Sequence, residues 1–235
     1  MVAPKYYIRL IRSAFFQFPQ RFFAPKEPAD LSQQAYVVTG GNAGIGLETV
    51  KELAKRNATV VLGSRSVQRG QEAVQSLEQD LGKAMKLHVV QLDLADLASV
   101  KDFAQRVQKL LGTKKIDALV NNAGVQTDQY QQSKQGHEMH FATNHLGHFL
   151  LTQLLLQSMA SPGGRIVFVN AELHSLATDA TPNFVYKSGG TPAYCRSKLA
   201  QVWYAYELQR RHPELIVPVL HPGVIDTQLF YSDSR

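Results

Sequence analysis

Tyr194 and Lys198 lie four residues apart in the segment YCRSK. On a helix this spacing places the two side chains next to each other on one face. A phenol with a pKa near 10 exchanges protons poorly at neutral pH, but a neighbouring cation stabilises the phenolate and lowers that pKa. Such a pair can deliver a proton to a carbonyl oxygen, which hydride transfer to a carbonyl requires. The alternative is an ordinary exposed helical pair, because this spacing also arises by chance.

A glycine-rich segment, TGGNAGIG at residues 39–46, follows the apolar run at residues 35–39. Gly40 would allow a tight turn, Gly44 would let a pyrophosphate approach the backbone, and Gly46 would let a helix pack closely on the strand. The N–H groups at the start of that helix would then face the anion. Between a first strand and a first helix, this pattern predicts a dinucleotide-binding turn.

The second apolar run ends in Gly63-Ser64-Arg65 and has no acidic residue there. An acid at this point would hydrogen-bond the 2′-hydroxyl of an adenosine ribose. Arg65 would instead form charge-assisted bonds with a 2′-phosphate, which favours NADP over NAD. The alternative for Arg65 is a solvated surface charge.

Alternating strands and helices must position these residues. Six short apolar runs predict strands at residues 35–39, 59–63, 87–92, 116–120, 166–169 and 216–220. Helical spacing occurs at residues 45–56, 66–81, 97–111, 137–159 and 192–211. This order predicts an α/β, doubly wound, Rossmann-like parallel sheet with helices on both faces.

Composition limits the other classes of function. The chain has 235 residues and is 44% hydrophobic, which suits one globular domain, and its single Cys195 excludes a disulfide framework. Residues 1–26 carry five bases and no acid, leaving 20 basic against 19 acidic residues in the remainder. No nucleic-acid-binding face is therefore expected. Nor is a metal site expected, since the histidines near residue 140 lack the spacing of a ligand motif: His137, His140, His145 and His148.

Residues 1–30 are predicted to be a separate basic amphipathic segment with a linker, and residues 31–235 the dinucleotide-binding domain. Between residues 5 and 22, aromatic and aliphatic side chains share one helical face opposite the bases. Three hypotheses remain open: a membrane-interface helix, a mitochondrial presequence, or a helix packed on its own domain or a second subunit. An intracellular location follows, either peripheral on the endoplasmic reticulum or a mitochondrial membrane, or cytoplasmic.

Several motifs together resemble the short-chain dehydrogenase/reductase family. TGGNAGIG is similar to its TGxxxGIG, NNAG at residues 121–124 to its fourth-strand motif, and YCRSK to its YxxxK; PGVIDT at residues 222–227 is similar to its PGxxxT. The segments NHLGHFLLT and LHPGV look most like the retinol dehydrogenase branch, which includes the WW-domain oxidoreductase.

The resemblance implies a role for each matching position. Tyr194 would be the acid/base, Lys198 would lower its pKa, and Asn144 would position a proton-relay water. The cofactor would be held by Gly40, Asn42, Gly44, Ile45, Gly46, Arg65, Asp93, Asn121, Ala123, Gly124, Tyr194, Lys198, Pro222, Gly223, Val224 and Thr227. Asp93 would face the adenine, Asn121 would lie near the adenosine ribose, and Val224 and Thr227 would contact the nicotinamide carboxamide. A homodimer through the helices that carry Asn144 and Tyr194 is expected by the same analogy.

The catalytic serine of the family is missing. Aligning RIVFVNA with the family's RIVxVSS places Ala171 at the catalytic serine and Asn170 beside it. Losing one donor to a substrate oxygen typically costs about 10²–10³ in rate. Asn170 could supply an N–H, Ser175 could reach back, or Tyr194 and Lys198 could act without a third group.

The chain is also expected to lack the family's usual C-terminal strand and helix, because the sequence ends at Arg235 soon after the sixth strand. The sequence therefore predicts an NADP-dependent oxidoreductase that interconverts an alcohol and a carbonyl on a lipophilic substrate, such as a retinoid, steroid or long-chain aldehyde. The alternative is an impaired cofactor-binding or scaffold protein with the same fold.

Overall fold

The computed structural model describes residues 29–177, 189–223 and 225. Six parallel strands form one sheet, in the spatial order β3-β2-β1-β4-β5-β6. The strands are β1 Ala35–Thr39, β2 Thr59–Ser64, β3 Leu87–Gln91, β4 Ala118–Asn121, β5 Arg165–Val169 and β6 Val219–Leu220. This confirms the doubly wound parallel sheet predicted from the sequence.

Helices cover both faces of the sheet. They are α1 Gly44–Lys55, α2 Val67–Leu81, α3 Leu97–Leu111, α4 Gly147–Leu155 and α5 Gly190–Arg211. On one face Val50 of α1 and Leu77 of α2 pack against Val38 and Val60. On the other, Val37, Val61 and Leu119 pack against apolar side chains of α3, α4 and α5. Alternate residues of β1 therefore enter opposite cores, as a strand buried on both faces requires.

The helix ends follow local capping chemistry. Ser66 accepts a hydrogen bond from the N–H of Arg69 at the start of α2, and Asp96 accepts one from Ala98 at the start of α3. Gly82 ends α2 with φ +63°, a conformation that glycine adopts without strain. These caps explain why the predicted bounds of α2 and α3 agree closely with the observed ones.

The fourth predicted helix begins later than expected and is not a uniform α-helix. Residues 131–138 form a turn in which Ser133 and His137 are hydrogen-bonded and Gly136 has φ +80°. A π-helical segment, Phe141–Leu146, then leads into α4, and a 3₁₀ turn, Leu156–Ser158, follows it. The helical run therefore covers residues 139–158, within two residues of the predicted 137–159, but it is not one uniform α-helix.

The sixth strand is shorter than predicted. Pro218 has no N–H, so it cannot return a hydrogen bond to β5, although its carbonyl accepts one from Phe168 at 3.0 Å. Ile216 forms an isolated bridge with Arg165, which leaves only Val219–Leu220 as regular strand. The N–H groups of Ile166 and Phe168 in β5 donate to the carbonyls of Ile216 and Pro218 along this edge.

Three sets of sequence predictions lie outside the described residues: the amphipathic segment with its linker through residue 28, Val224, and the chain from residue 226 onward with Thr227. Within the described part, the helices are all too short or too polar to cross a membrane.

Candidate active site

The glycine turn connects β1 to α1 at the carboxyl edge of the sheet, where the strand order changes direction between β1 and β4. Gly40 and Gly44 have φ values of +65° and +53°. A Cβ on Gly46 would lie 2.2 Å from the carbonyl oxygen of Gly40, so no side chain fits there. The turn thus has the form expected of a phosphate-binding loop at a topological switch point.

The start of α1 has unused hydrogen-bond donors. Its N-cap residue, Ala43, is extended and makes no side-chain cap, and the first turn contains no acidic residue. Asn42 and Ile45 flank this terminus and are half-buried. Free N–H groups and a positive helix end fit the pyrophosphate of a dinucleotide.

Two adjacent asparagines after β4 play different structural roles. Asn122 donates from Nδ2 to the carbonyl of Thr39 at 2.8 Å and lies beside Gly46. The side chain of Asn121 is fully buried and donates to Thr152 Oγ1 at 3.2 Å. The structure therefore places Asn121 in the packing behind the strand and Asn122 at the glycine turn. Asn122 was not predicted from the sequence, although the alternation of side chains along a strand indicates it.

Arg65 and Asp93 follow β2 and β3 at the same edge of the sheet. Arg65 is exposed, and its guanidinium forms no hydrogen bond or ion pair with the residues that the structure describes. Asp93 is half-buried and accepts a hydrogen bond from the N–H of Ala95 at 2.9 Å through one carboxylate oxygen. Both residues therefore lie at the side of the turn where the adenosine end of a dinucleotide would be held.

Tyr194 and Lys198 lie on the buried face of α5, with relative exposures of only 3% and 4%. The ammonium of Lys198 lies 5.7 Å from the centre of the Tyr194 ring and donates to the carbonyl of Val169 at 3.0 Å. A Cβ on Gly124 would lie 3.8 Å from the same ammonium nitrogen. The structure thus places Tyr194 and Lys198 together, next to the turn after β4.

Burial controls the proton affinities of this pair. It raises the pKa of Tyr194 to about 12 and lowers the pKa of Lys198 to about 8. The expected lowering of the Tyr194 pKa by Lys198 is therefore not seen in this arrangement, in which the ammonium is hydrogen-bonded to a backbone carbonyl. The Tyr194 hydroxyl is protonated at neutral pH and can act as a donor.

Asn144 lies within the π-helical segment and is fully buried. Its Oδ1 accepts from the N–H of Val125 at 2.8 Å, and its Nδ2 donates to the Val125 carbonyl and to Ser197 Oγ. Ser197 in turn donates to the carbonyl of Tyr194 at 2.7 Å. One asparagine therefore connects the loop after β4 to the helix that carries Tyr194 and Lys198.

Ala171 follows β5, and the two donors predicted to replace the missing hydroxyl, on Asn170 and Ser175, are hydrogen-bonded to other described residues. Asn170 uses its Nδ2 to donate to the Lys198 carbonyl at 2.9 Å and to Gln201 at 3.2 Å. Ser175 is exposed and donates to the carbonyl of Glu172 at 2.9 Å. The amide of Asn170 and the hydroxyl of Ser175, which the sequence suggested as replacement donors, are thus both hydrogen-bonded to other groups.

The other predicted cofactor-binding residues in the described part of the chain lie after β4 and β6. Ala123 and Gly124 lie half-buried at the end of β4, and Pro222 and Gly223 lie half-buried beyond β6.

His140 and His148 are buried, and burial lowers the pKa values of His145 and His148 to about 4 and about 3. In the described part of the chain, no three histidine, cysteine or acidic side chains are grouped closely enough to hold a metal ion.

Residues 34–235 match the family model described as short chain dehydrogenase. The chain belongs to this family. It is 40% identical over 206 residues to retinol dehydrogenase 11 of Homo sapiens, covering 85% of this chain and 63% of that protein. It is 38% identical over 205 residues to polyprenol dehydrogenase of Mus musculus, covering 83% and 60%. The chain thus spans less than two thirds of the length of these short-chain dehydrogenase relatives.

Solved short-chain dehydrogenases share the fold. One from Burkholderia cenocepacia J2315, in complex with NADP, superposes with a TM-score of 0.69 at 26% identity, covering 85% of this chain and 78% of that one. Another from Burkholderia phymatum, in complex with NAD, gives a TM-score of 0.67 at 20% identity, covering 85% and 69%. Members of this fold therefore bind either nicotinamide dinucleotide.

Proposed function

We propose that this protein is an NADP-dependent oxidoreductase that interconverts an alcohol and a carbonyl on a lipophilic substrate. One observation carries the proposal: Tyr194, Lys198 and Asn144 are held together beside Gly124, at the sheet edge where the glycine turn opens. Each of these side chains is almost completely buried. Burying an ammonium is costly and its retention is typical of functional sites.

Each side chain has a defined task in this proposal. The bound nicotinamide dinucleotide would supply or accept the hydride. Tyr194 donates its hydroxyl proton to the carbonyl oxygen in reduction and accepts it in oxidation. Lys198, as a cation, stabilises the phenolate that remains after donation. Asn144 holds the loop at Val125 and the helix at Ser197 in register, which fixes the distance between these groups.

The preference for NADP is assigned to Arg65. Its exposed guanidinium, which makes no ion pair with a described residue, follows β2, where a 2′-phosphate would bind through charge-assisted bonds. Arg65→Gln should raise the dissociation constant of NADPH about tenfold or more and leave that of NADH nearly unchanged, as measured by cofactor fluorescence. Arg106→Gln, which removes the same charge from the exposed face of α3, is the control. Equal weakening of both cofactors by Arg65→Gln would contradict the assignment.

The substrate class is proposed from the relatives named for retinol and polyprenol, which are long apolar alcohols. The test is NADPH oxidation with all-trans-retinaldehyde, comparing wild type, Ala171→Ser and Tyr194→Phe. Turnover by the wild type well above that of Tyr194→Phe would support an enzyme that works without the serine. A gain of about 10²–10³ in Ala171→Ser would show that the missing hydroxyl limits the rate.

A second candidate function is favoured by the environment of Ala171. Because Asn170 and Ser175 have their donors engaged elsewhere, the chain would bind cofactor and serve as a catalytically impaired scaffold protein. Cofactor binding with no turnover in either wild type or Ala171→Ser, across retinoid, steroid and long-chain aldehyde substrates, would favour this function over the first.

We propose two further interactions that await experiment. Residues 5–22 would bind a membrane surface, of the endoplasmic reticulum or a mitochondrion, and otherwise the protein would be cytoplasmic. Flotation with liposomes, compared with and without residues 1–26, tests this; equal flotation would exclude the segment as an anchor. A homodimer through α4 and α5 is the second interaction.

A further inference from the structure

His148 of α4 is completely buried and touches none of the reacting groups directly, but its ring spans two elements of the site. Its Nδ1 lies 3.0 Å from the main-chain carbonyl oxygen of Asn144. Its Nε2 lies 2.9 Å from the hydroxyl of Thr39, the last residue of β1. The imidazole therefore connects the start of the glycine turn to the π-helical segment that carries Asn144.

The hydrogen bonds of the Thr39 hydroxyl determine which nitrogen of the His148 ring carries a proton. The Thr39 hydroxyl oxygen accepts from the N–H groups of Asn122 and Ala123, each at 3.0 Å. A hydroxyl oxygen has two lone pairs, so both are occupied and its remaining role is to donate. The Val120 carbonyl is 3.4 Å away and His148 Nε2 is 2.9 Å away, so the nitrogen is the better acceptor.

It follows that Nε2 carries no proton and that Nδ1 does. The Nδ1–H then donates to the Asn144 carbonyl, and both ring nitrogens are satisfied in a neutral imidazole. Burial lowers the pKa of His148 to about 3, which agrees with a ring that stays neutral throughout the physiological range.

The next contacts lead to the acid–base pair. Asn144 bonds Val125 and Ser197 through its side chain, and Ser197 bonds the carbonyl of Tyr194. A shift of the Asn144 backbone would move all of these contacts together. Since buried groups of this kind are packed without slack, the donor that holds the Asn144 carbonyl also holds Tyr194 in place.

We propose that His148 is a positioning residue: its Nδ1–H, fixed in that tautomer by the Thr39 hydroxyl, holds the Asn144 carbonyl and through it the geometry of Tyr194. The effect on turnover rests on the proposed oxidoreductase activity, whereas the tautomer and the bond to Asn144 do not.

The tautomer is tested on the wild-type protein by imidazole ¹⁵N NMR. We expect a protonated Nδ1 and an unprotonated Nε2 for His148, with shifts that do not change between pH 5 and pH 9. A proton on Nε2, or titration of the ring in this interval, would overturn the assignment without any reference to activity.

The positioning role is tested with two substitutions of nearly equal size. His148→Asn and His148→Leu both lose the contact with Thr39, but only asparagine keeps a donor near the Asn144 carbonyl. We expect similar losses of melting temperature, similar NADPH dissociation constants, and a kcat about tenfold lower in the leucine variant than in the asparagine variant, the size expected for one lost hydrogen bond. Equal kcat values would show a merely structural role.

Failure of the proposed activity is distinguishable from failure of this inference. If wild type and Ala171→Ser are both inactive, the carbonyl ¹³C shift of Asn144 replaces kcat as the readout. It should move in His148→Leu and stay near its wild-type position in His148→Asn. An unchanged shift in both variants would overturn the inference.

Discussion

Lys198 is a buried cation whose main partner is one backbone carbonyl, that of Val169. Moving its pKa from 10.5 to about 8 corresponds to a cost of about 3 kcal/mol for holding the charge at neutral pH. Keeping a buried cation next to Tyr194 therefore lowers the free energy of unfolding of the protein.

Replacing this cation should stabilise the protein. Lys198→Met should raise the free energy of unfolding at pH 7 by up to about 3 kcal/mol, measured by urea denaturation, and should abolish turnover. The folded-state pKa is lowered, so between about pH 8 and 10.5 the unfolded chain binds more protons and wild-type stability rises with pH. The advantage of Lys198→Met should therefore shrink across that interval. Lys101→Met, at an exposed position on α3, should show no such gain.

At the residue scale, the sequence predicted which side chains lie together better than it predicted their hydrogen bonds. Tyr194, Lys198 and Asn144 were identified from spacing and resemblance, and the structure brings them together. The bond between Thr39 and His148 joins residues 109 positions apart, and no local pattern indicates it. The commitment of Asn170 to the Lys198 carbonyl is likewise a property of packing between β5 and α5.

At the scale of elements, the start of α1 has no side-chain cap, so the helix is less stable than a capped one but can bind an anion. Ala43 has the extended conformation of an N-cap residue but no side-chain acceptor. A capping side chain there typically adds about 1 kcal/mol to helix stability. Its absence leaves the N–H groups available to an anion.

A capping side chain at residue 43 should stabilise the helix and weaken the binding of an anion. Ala43→Asp should raise the melting temperature of the cofactor-free protein and weaken NADPH binding about tenfold or more, because the carboxylate occupies the N–H groups and repels the pyrophosphate. Ala43→Asn, a neutral cap, should stabilise similarly and weaken binding less. Calorimetry and fluorescence titration measure the two effects; tighter binding by Ala43→Asp would refute the assigned anion site.

Element types followed from sequence periodicity, but some boundaries did not. The capped helices α2 and α3 were predicted to within a residue, since Ser66 and Asp96 are strong start signals. The π-helical segment at Phe141–Leu146 has the same apolar spacing as an α-helix over so short a length, so periodicity could not distinguish them. Pro218 was not considered in predicting the sixth strand, although a proline within a strand pattern indicates a shorter or edge strand.

At the scale of the whole molecule, the outer faces of α4 and α5 form a surface rich in aromatic residues. Phe149 packs on Tyr204 with ring centres 4.8 Å apart, while Trp203 and Tyr206 are exposed, Tyr206 by 73%. Large exposed aromatic side chains next to one another are typical of protein interfaces. This surface suits the proposed homodimer.

A charge on this surface should separate the subunits. Tyr206→Glu should convert a dimer into a monomer in light scattering after size-exclusion chromatography, because the carboxylate would be buried without a partner at the interface. Leu110→Glu, also at an exposed apolar position but on α3, should leave the mass unchanged. A wild-type monomer at micromolar concentration, or a dimer that survives Tyr206→Glu, would contradict the proposed interface.

The strand order also determines when the site can form as the chain folds. β1 lies between β2 and β4, and the N–H of Ala35 bonds the carboxylate of Asp117, 82 positions away along the chain. Pairing β1 with β2 closes a short loop, whereas pairing β1 with β4 must overcome the entropy of closing a long one. The pairing of β1 with β2 can thus occur early, whereas the contacts of Asn122 with the glycine turn need the slower pairing of β1 with β4. A newly made chain would therefore complete the glycine turn only after β4 has joined the sheet.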